Sequence, residues 1–135
     1  MNGVKIVSDV YEAFGRGDVP AVLGAMDAEI HWYEAEGNPY SPEGEPFVGP
    51  NAILEELFMK LVEDWDGFAV NPHTFHDAGD VVVVEARYSG THNRTGRELD
   101  AQVCHIFTLK DGKIAKFQQY VNTAQLQEVM GATVP

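Results

Sequence analysis

Three short runs of turn chemistry, Asp77-Ala78-Gly79-Asp80, Asn93-Arg94-Thr95-Gly96 and Lys110-Asp111-Gly112-Lys113, divide the second half of the chain. Glycine, asparagine and aspartate tolerate the backbone that tight turns demand, so the alternating segments between these runs predict four antiparallel strands. Alternate residues of a strand face opposite ways. Val82, Val84, Ala86 and Tyr88 therefore share an apolar face, opposite Glu85, Arg87 and Ser89. Leu99, Ala101, Val103, His105, Phe107 and Leu109 share the next, and Ala115, Phe117, Gln119 and Val121 the last. A sheet with one apolar face must bury it against another layer.

The first half of the chain supplies that layer. Val4, Val7, Tyr11 and Phe14 recur at three- and four-residue steps, the spacing of one helical face. Gly15 and Gly17 end this helix, and Asp18 caps a second one carrying Val19, Val22, Leu23 and Met26. From Ala28 the period becomes two, with Ile30, Trp32 and Glu34 on one face of a strand. Residues 37–49 form a proline- and glycine-rich loop that places Asn38, Pro39 and Tyr40 at the mouth of any pocket. Pro50 opens a third helix with Ile53, Leu54, Leu57, Phe58, Leu61 and Val62, and Trp65 and Phe68 close the cone at its end. His73 and His76 flank a strand, and a short helix over 124–130 closes the chain. The prediction is one α+β domain over residues 1–135: a curved antiparallel sheet wrapped around N-terminal helices, closed at an apolar base and open at a mouth.

Charge narrows the function. Nine Lys plus Arg against 21 Asp plus Glu give a formal charge of -12, which repels phosphate backbones and anionic lipid, so neither nucleic acid nor membrane is an expected partner. The longest valine run, Val81–Val84, is far short of the roughly 20 apolar residues of a membrane span. Lys5, Ser8 and Asp9 interrupt the N-terminal apolar residues, so no signal peptide is expected and the location is cytoplasmic. One cysteine, Cys104, allows no internal disulfide, and no His, Cys and carboxylate spacing makes a metal site, so no metal or cofactor is expected.

Three polar residues sit on otherwise apolar faces: Glu34, His105 and Gln119. Each needs a partner, because burying an unpaired polar group costs several kcal/mol or shifts its pKa. A desolvated carboxylate can exchange a proton near neutral pH, and a histidine can donate to a developing oxyanion. The same residues could instead satisfy one another structurally.

The segments Tyr11-Glu12-Ala13-Phe14-Gly15-Arg16-Gly17-Asp18, Trp32-Tyr33-Glu34-Ala35-Glu36-Gly37, Thr95-Gly96-Arg97, His105-Ile106-Phe107-Thr108-Leu109, Asp111-Gly112-Lys113-Ile114 and Gln119-Tyr120-Val121-Asn122-Thr123 resemble the SnoaL-like branch of the nuclear transport factor 2-like superfamily. That branch lies beside ketosteroid isomerases, polyketide cyclases and limonene epoxide hydrolases. The resemblance implies the cone fold and a homodimer paired through the convex sheet face, by residues such as Gln102, Cys104, Ile106 and Gln118. It sets Glu34 at the proton-shuttling carboxylate of the isomerases and His105 at their oxyanion-hole aspartate. Val10 stands at their oxyanion tyrosine, so that donor is missing, and Tyr88 is the candidate to replace it. Ala86, Tyr88 and Gln119 stand where the epoxide hydrolases keep Arg, Asp and Asp, which excludes that mechanism. Gln119 also replaces the cyclases' acid/base aspartate, and Asn122 an aspartate common in SnoaL-like chains.

The expected function is therefore isomerisation, cyclisation or dehydration of a small apolar carbonyl compound through an enol or enolate, without a cofactor. Glu34 and His105 are the catalytic candidates; Trp32, Tyr40, Tyr88, Val103, Phe107, Phe117, Gln119 and Asn122 are the substrate-binding candidates. The alternative is a non-catalytic small-ligand-binding or dimerisation domain in the same cone.

Overall fold

The computed structural model describes residues 2–131. Helix α1 (Gly3–Gly15) starts where the Asn2 side chain accepts from the Lys5 amide, satisfying an end N–H that has no partner within the helix. It ends before Gly17, whose φ of +74° turns the chain into α2 (Val19–Gly24), capped by Asp18 through the Ala21 amide. Strand β1 (Met26–Tyr33) follows, beginning two residues before the predicted start and leaving Glu34 just past its end. Within the predicted loop, Phe47–Val48 forms a short β2 against His31 and Trp32.

The third predicted helix is interrupted. Helix α3 (Pro50–Ile53) runs through a π-helical turn (Leu54–Phe58) into α4 (Met59–Asp64). A π turn inserts an extra residue into the helical repeat and rotates the face that follows. Leu57 and Phe58 are buried there, whereas Val62, expected on the apolar stripe, is exposed. The backbone turns extended at Trp65, so Trp65 and Phe68 belong to β3 (Trp65–Ala78) and not to a helix end. His73 and His76 likewise lie within β3, and His76 pairs with Glu85 across the strands at 2.8 Å. Strands β4 (Val81–His92), β5 (Glu98–Lys110) and β6 (Lys113–Val121) end at the predicted turns, and α5 (Thr123–Met130) completes the chain.

The six strands lie in the order β2-β1-β6-β5-β4-β3 in one curved, unclosed sheet. One pairing departs from the antiparallel expectation: β1 runs parallel to β6, because the chain crosses the sheet between them. Register places His105 opposite Gln119 and Val84, and Phe107 opposite Phe117, all on the face toward the helices. Trp32 lies beside Phe117, with ring centroids 3.7 Å apart. Among the described residues, no helix is long and apolar enough to cross a membrane.

Curvature has a local cause. The β3–β4 register shifts between Asp66 and Ala69, the mark of a bulge, which increases local twist and bends the strand. Gly90 faces that bulge with φ +150°, and an added Cβ would stand 3.1 Å from Phe68 Cα. Alanine there meets both an unfavourable backbone and a clash with main chain. Gly90→Ala should cost about 1–3 kcal/mol in denaturant unfolding; an unchanged midpoint would mean that the bend does not depend on glycine.

Two apolar clusters share the concave face. One joins Val7, Val22, Ile30, Leu57, Phe107 and Phe117 beneath α1, α2 and the π turn. The other joins Trp65, Ala86, Leu99, Ala101, Val103, Leu126 and Val129 beneath α5. Helix α5 is held at both ends. The Asn122 side chain caps its start through the Gln125 amide. Arg94, Thr95 and Arg97, in the β4–β5 turn, donate to the carbonyls of Met130, Val129 and Glu128 at its end.

Candidate functional site

Between the helices and the concave sheet face lies a cavity of about 70 Å³. Its walls are mainly rings: Phe14, Trp32, Phe58, Phe68, Phe107 and Phe117, with Val10, Leu57, Leu61 and Leu126. Tyr11, Glu34, Asn38, Tyr40, Tyr88, His105 and Gln119 bring the polar groups. An engineered apolar cavity of about 150 Å³ accepts benzene. The space here is smaller still.

Most predicted site residues meet at this cavity: Glu34, His105, Trp32, Tyr40, Tyr88, Phe107, Phe117 and Gln119. Two do not. Val103 points from the same strand face but one register step pair farther along, into the cluster under α5. Asn122 caps α5 with its side chain. Alternation and resemblance point to these two residues, and neither signal says which stretch of a long strand a helix covers.

All of the cavity's polar residues except Glu34 join one continuous chain of hydrogen bonds. The Ala35 amide donates to Gln119 Oε1 at 3.2 Å, and Asn38 Nδ2 donates to the same oxygen at 2.9 Å. Gln119 Nε2 donates to the Tyr88 hydroxyl at 2.8 Å. Tyr88 meets His105 Nε2 at 2.6 Å, and His105 Nδ1 meets the Tyr11 hydroxyl at 2.6 Å. Asn38, expected at the mouth, is instead buried in this network, with its Oδ1 accepting from the Tyr40 amide. Both imidazole nitrogens are therefore taken by tyrosines, and His105 has none left for a ligand oxygen. Burial holds its pKa down to about 3, so the ring is neutral across the physiological range.

Glu34 is 5% exposed, and its Oε2 accepts from Trp32 Nε1 at 3.1 Å. Burial raises its pKa to about 7 against the weaker opposing pull of the Trp32 indole and the Gln119 amide. Tyr11 and Tyr88 are pushed well above the ordinary phenol by burial, so both hydroxyls keep their protons. Tyr40 has its ring at the cavity, but its hydroxyl donates to Asp64 Oδ2 at 2.9 Å and accepts from Trp65 Nε1 at 2.9 Å. It anchors the loop to the start of β3 and serves as wall.

Tyr11 is the polar cavity residue that strand alternation passes over. A signal was present: a hydroxyl on the buried face of α1, beside Val7 and Phe14, needs a partner for the same reason that Glu34 and His105 do. The residue aligned by resemblance with the missing tyrosine, Val10, is its immediate neighbour and lines the cavity as wall.

The family model for the SnoaL-like domain matches residues 7–117. An NTF2-like protein of Burkholderia thailandensis is 34% identical over 93% of this chain and 95% of its own, with TM-score 0.88. IdmH of Streptomyces antibioticus, described as a candidate polyketide cyclase, is 17% identical over 98% of this chain and 100% of its own, with TM-score 0.79. A protein of Catenulispora acidiphila with a ketosteroid isomerase-like fold, solved in complex with trimethylamine, is 16% identical over 96% of this chain and 97% of its own, with TM-score 0.77. No curated protein matches in sequence.

Proposed function

This chain belongs to the SnoaL-like domain family, and from that membership we propose that it is a cofactor-independent enzyme moving a proton on a small carbonyl compound. One observation carries the reading: a desolvated carboxylate with a pKa of about 7 borders the same apolar cavity as a hydroxyl that, among the described residues, is bonded only to a neutral imidazole. A base of that strength can take a proton and give it back near neutral pH. Glu34 removes hydrogen from the carbon beside the carbonyl as a proton. The C–H electron pair becomes the enolate double bond, and negative charge collects on the carbonyl oxygen. The Tyr11 hydroxyl stabilises that oxygen, and the Glu34 carboxyl then returns its proton to the same or a conjugated carbon. His105 acts here as a positioning residue for Tyr11. This reassigns the oxyanion contact first expected of His105, since both of its nitrogens are engaged.

Size supports a compound of few atoms, so acetone is the first probe. In D₂O the Glu34 carboxyl trades its captured proton for deuterium before returning it, so the protein should accelerate exchange of the acetone methyl hydrogens above the buffer rate, followed by proton NMR. The rate should rise with pH and level off above about 7, because only the ionised carboxylate accepts a proton. A rate unchanged across that range, or absent altogether, would remove Glu34 as the base.

A second reading is a binding module without turnover. The aromatic walls and the lone carboxylate favour it for a small amine, as does trimethylamine bound in a protein of the same fold. Tight binding of trimethylamine with no exchange of acetone would select it.

A further inference from the structure

We propose that Gln119 sets the direction of every hydrogen bond from the sheet to the cavity, fixing His105 as the Nδ1–H tautomer and leaving Tyr11 a free donor. The site then takes a ligand by a hydrogen-bond acceptor such as a carbonyl oxygen. This deepens the enzymatic reading by naming the group recognised, yet it stands on the geometry of the chain and not on turnover.

Some of these groups have a hydrogen-bonding polarity that cannot change. A backbone amide only donates, so the Ala35 N–H requires an oxygen at its partner, which is Gln119 Oε1. The Tyr40 N–H requires the same of Asn38 Oδ1, which turns Asn38 Nδ2 onto that Gln119 oxygen as a second donor. Flipping either amide would set donor against donor. Gln119 must therefore present Nε2–H to the Tyr88 oxygen. Of the two partners of the Tyr88 hydroxyl, the amide is a donor, so the Tyr88 proton has only His105 Nε2 to go to. With Nε2 accepting, the hydrogen of the neutral ring sits on Nδ1 and points to the Tyr11 oxygen. The Tyr11 proton is the last in the series. It has no acceptor among the described residues, and Tyr11 borders the cavity.

A carboxylate in place of this amide reverses the series. It still accepts from the Ala35 amide and Asn38, but it now takes the Tyr88 proton too. His105 must then donate through Nε2, Nδ1 becomes an acceptor, and Tyr11 spends its proton on the ring. One side chain three hydrogen bonds away thus decides whether the cavity offers a donor.

The test is nitrogen-15 NMR of the histidine rings, in which couplings to the ring carbon-bound hydrogens tell a protonated nitrogen from a bare one. Wild-type protein should show His105 with Nδ1 protonated and Nε2 bare. Gln119→Glu in a Glu34→Gln background, which removes the neighbouring negative charge, should show the opposite at pH 9, where the introduced carboxylate is ionised. Acetone accepts only, whereas 2-propanol also donates, so the ratio of their affinities should fall about tenfold in that variant, the worth of one hydrogen bond. Tyr11→Phe provides an independent arm: His105 should keep hydrogen on Nδ1, because Tyr88 still feeds Nε2. An Nε2–H ring in the wild type, an unchanged tautomer in Gln119→Glu, or a switch in Tyr11→Phe would each overturn the assignment. None of these outcomes depends on exchange at the acetone carbon, which separately tests Glu34.

Discussion

Glu34→Gln is expected to slow hydrogen exchange on a small ketone by about a thousandfold or more, the range lost with a general base, while making the protein more stable at pH 8. The two effects share one cause. Burial raises the carboxyl from its ordinary 4.5 to about 7, so between these values the folded state holds a proton that the unfolded chain has released. Stability therefore falls as pH rises through that window, and above it the full deficit of about 3 kcal/mol is present. Glutamine is nearly isosteric, offers Trp32 Nε1 an oxygen, and carries no charge to desolvate. Its gain should approach 10 °C in melting temperature at pH 8 for a domain of this size and vanish near pH 4. Equal melting temperatures for the two proteins at pH 8 would mean that Glu34 is not desolvated, and the base would be lost with it.

His105 adds a second slope of opposite sign. Its folded pKa is about 3 against an ordinary 6.5, so the unfolded ring gains a proton first as pH falls, and stability declines from 6.5 downward. From pH 6.5 to 4.5 the two groups oppose each other, and the wild-type stability curve should be nearly flat. Glu34→Gln removes one slope and exposes the other: this variant should lose stability steadily as pH drops below 6.5. A flat curve in the variant would show that His105 titrates normally.

The fold was legible because its signals are local and repeated. Turn residues such as Asp111-Gly112 end strands wherever they occur, with Asp111 at φ +50° and Gly112 at +77°, and alternation assigned Val84, His105 and Phe107 to the buried face. Glu34, His105 and Gln119 were legible for a related reason, as polar residues out of step with apolar neighbours. What failed depends on distant contacts. The π turn is not written in the apolar stripe, since Leu57, Phe58 and Leu61 fit a regular helix as well. The start of β3 at Trp65 is set by pairing with His92, far along the chain. Val103 obeys the same alternation as His105, and only the position of α5 decides that it packs against Leu126. The role of Tyr11 needed both its helix placed over β5 and the ring of His105 turned toward it.

Tyr11→Phe is the second substitution of large effect. The phenyl ring keeps the edge contacts with Phe75 and Phe107, whose centroids lie 5.9 and 5.8 Å away, so packing survives. The hydroxyl is lost, and with it two things. His105 Nδ1 loses its partner at 2.6 Å, and a buried ring nitrogen without a partner costs about 1–3 kcal/mol of stability. The enolate oxygen loses its donor, and removal of one such donor lowers turnover about 100- to 1000-fold. The loss should fall on kcat far more than on KM, because the charge that the hydroxyl stabilises exists only on the way to the enolate. Glu34 remains in place, so the residual rate should still rise with pH through about 7. A Tyr11→Phe protein with wild-type kcat would make the hydroxyl a structural partner of His105 and nothing more, and the oxygen of the substrate would have to be held elsewhere. A variant with reduced kcat and an intact pH profile would instead separate the donor from the base, as two groups acting on two atoms of one small molecule.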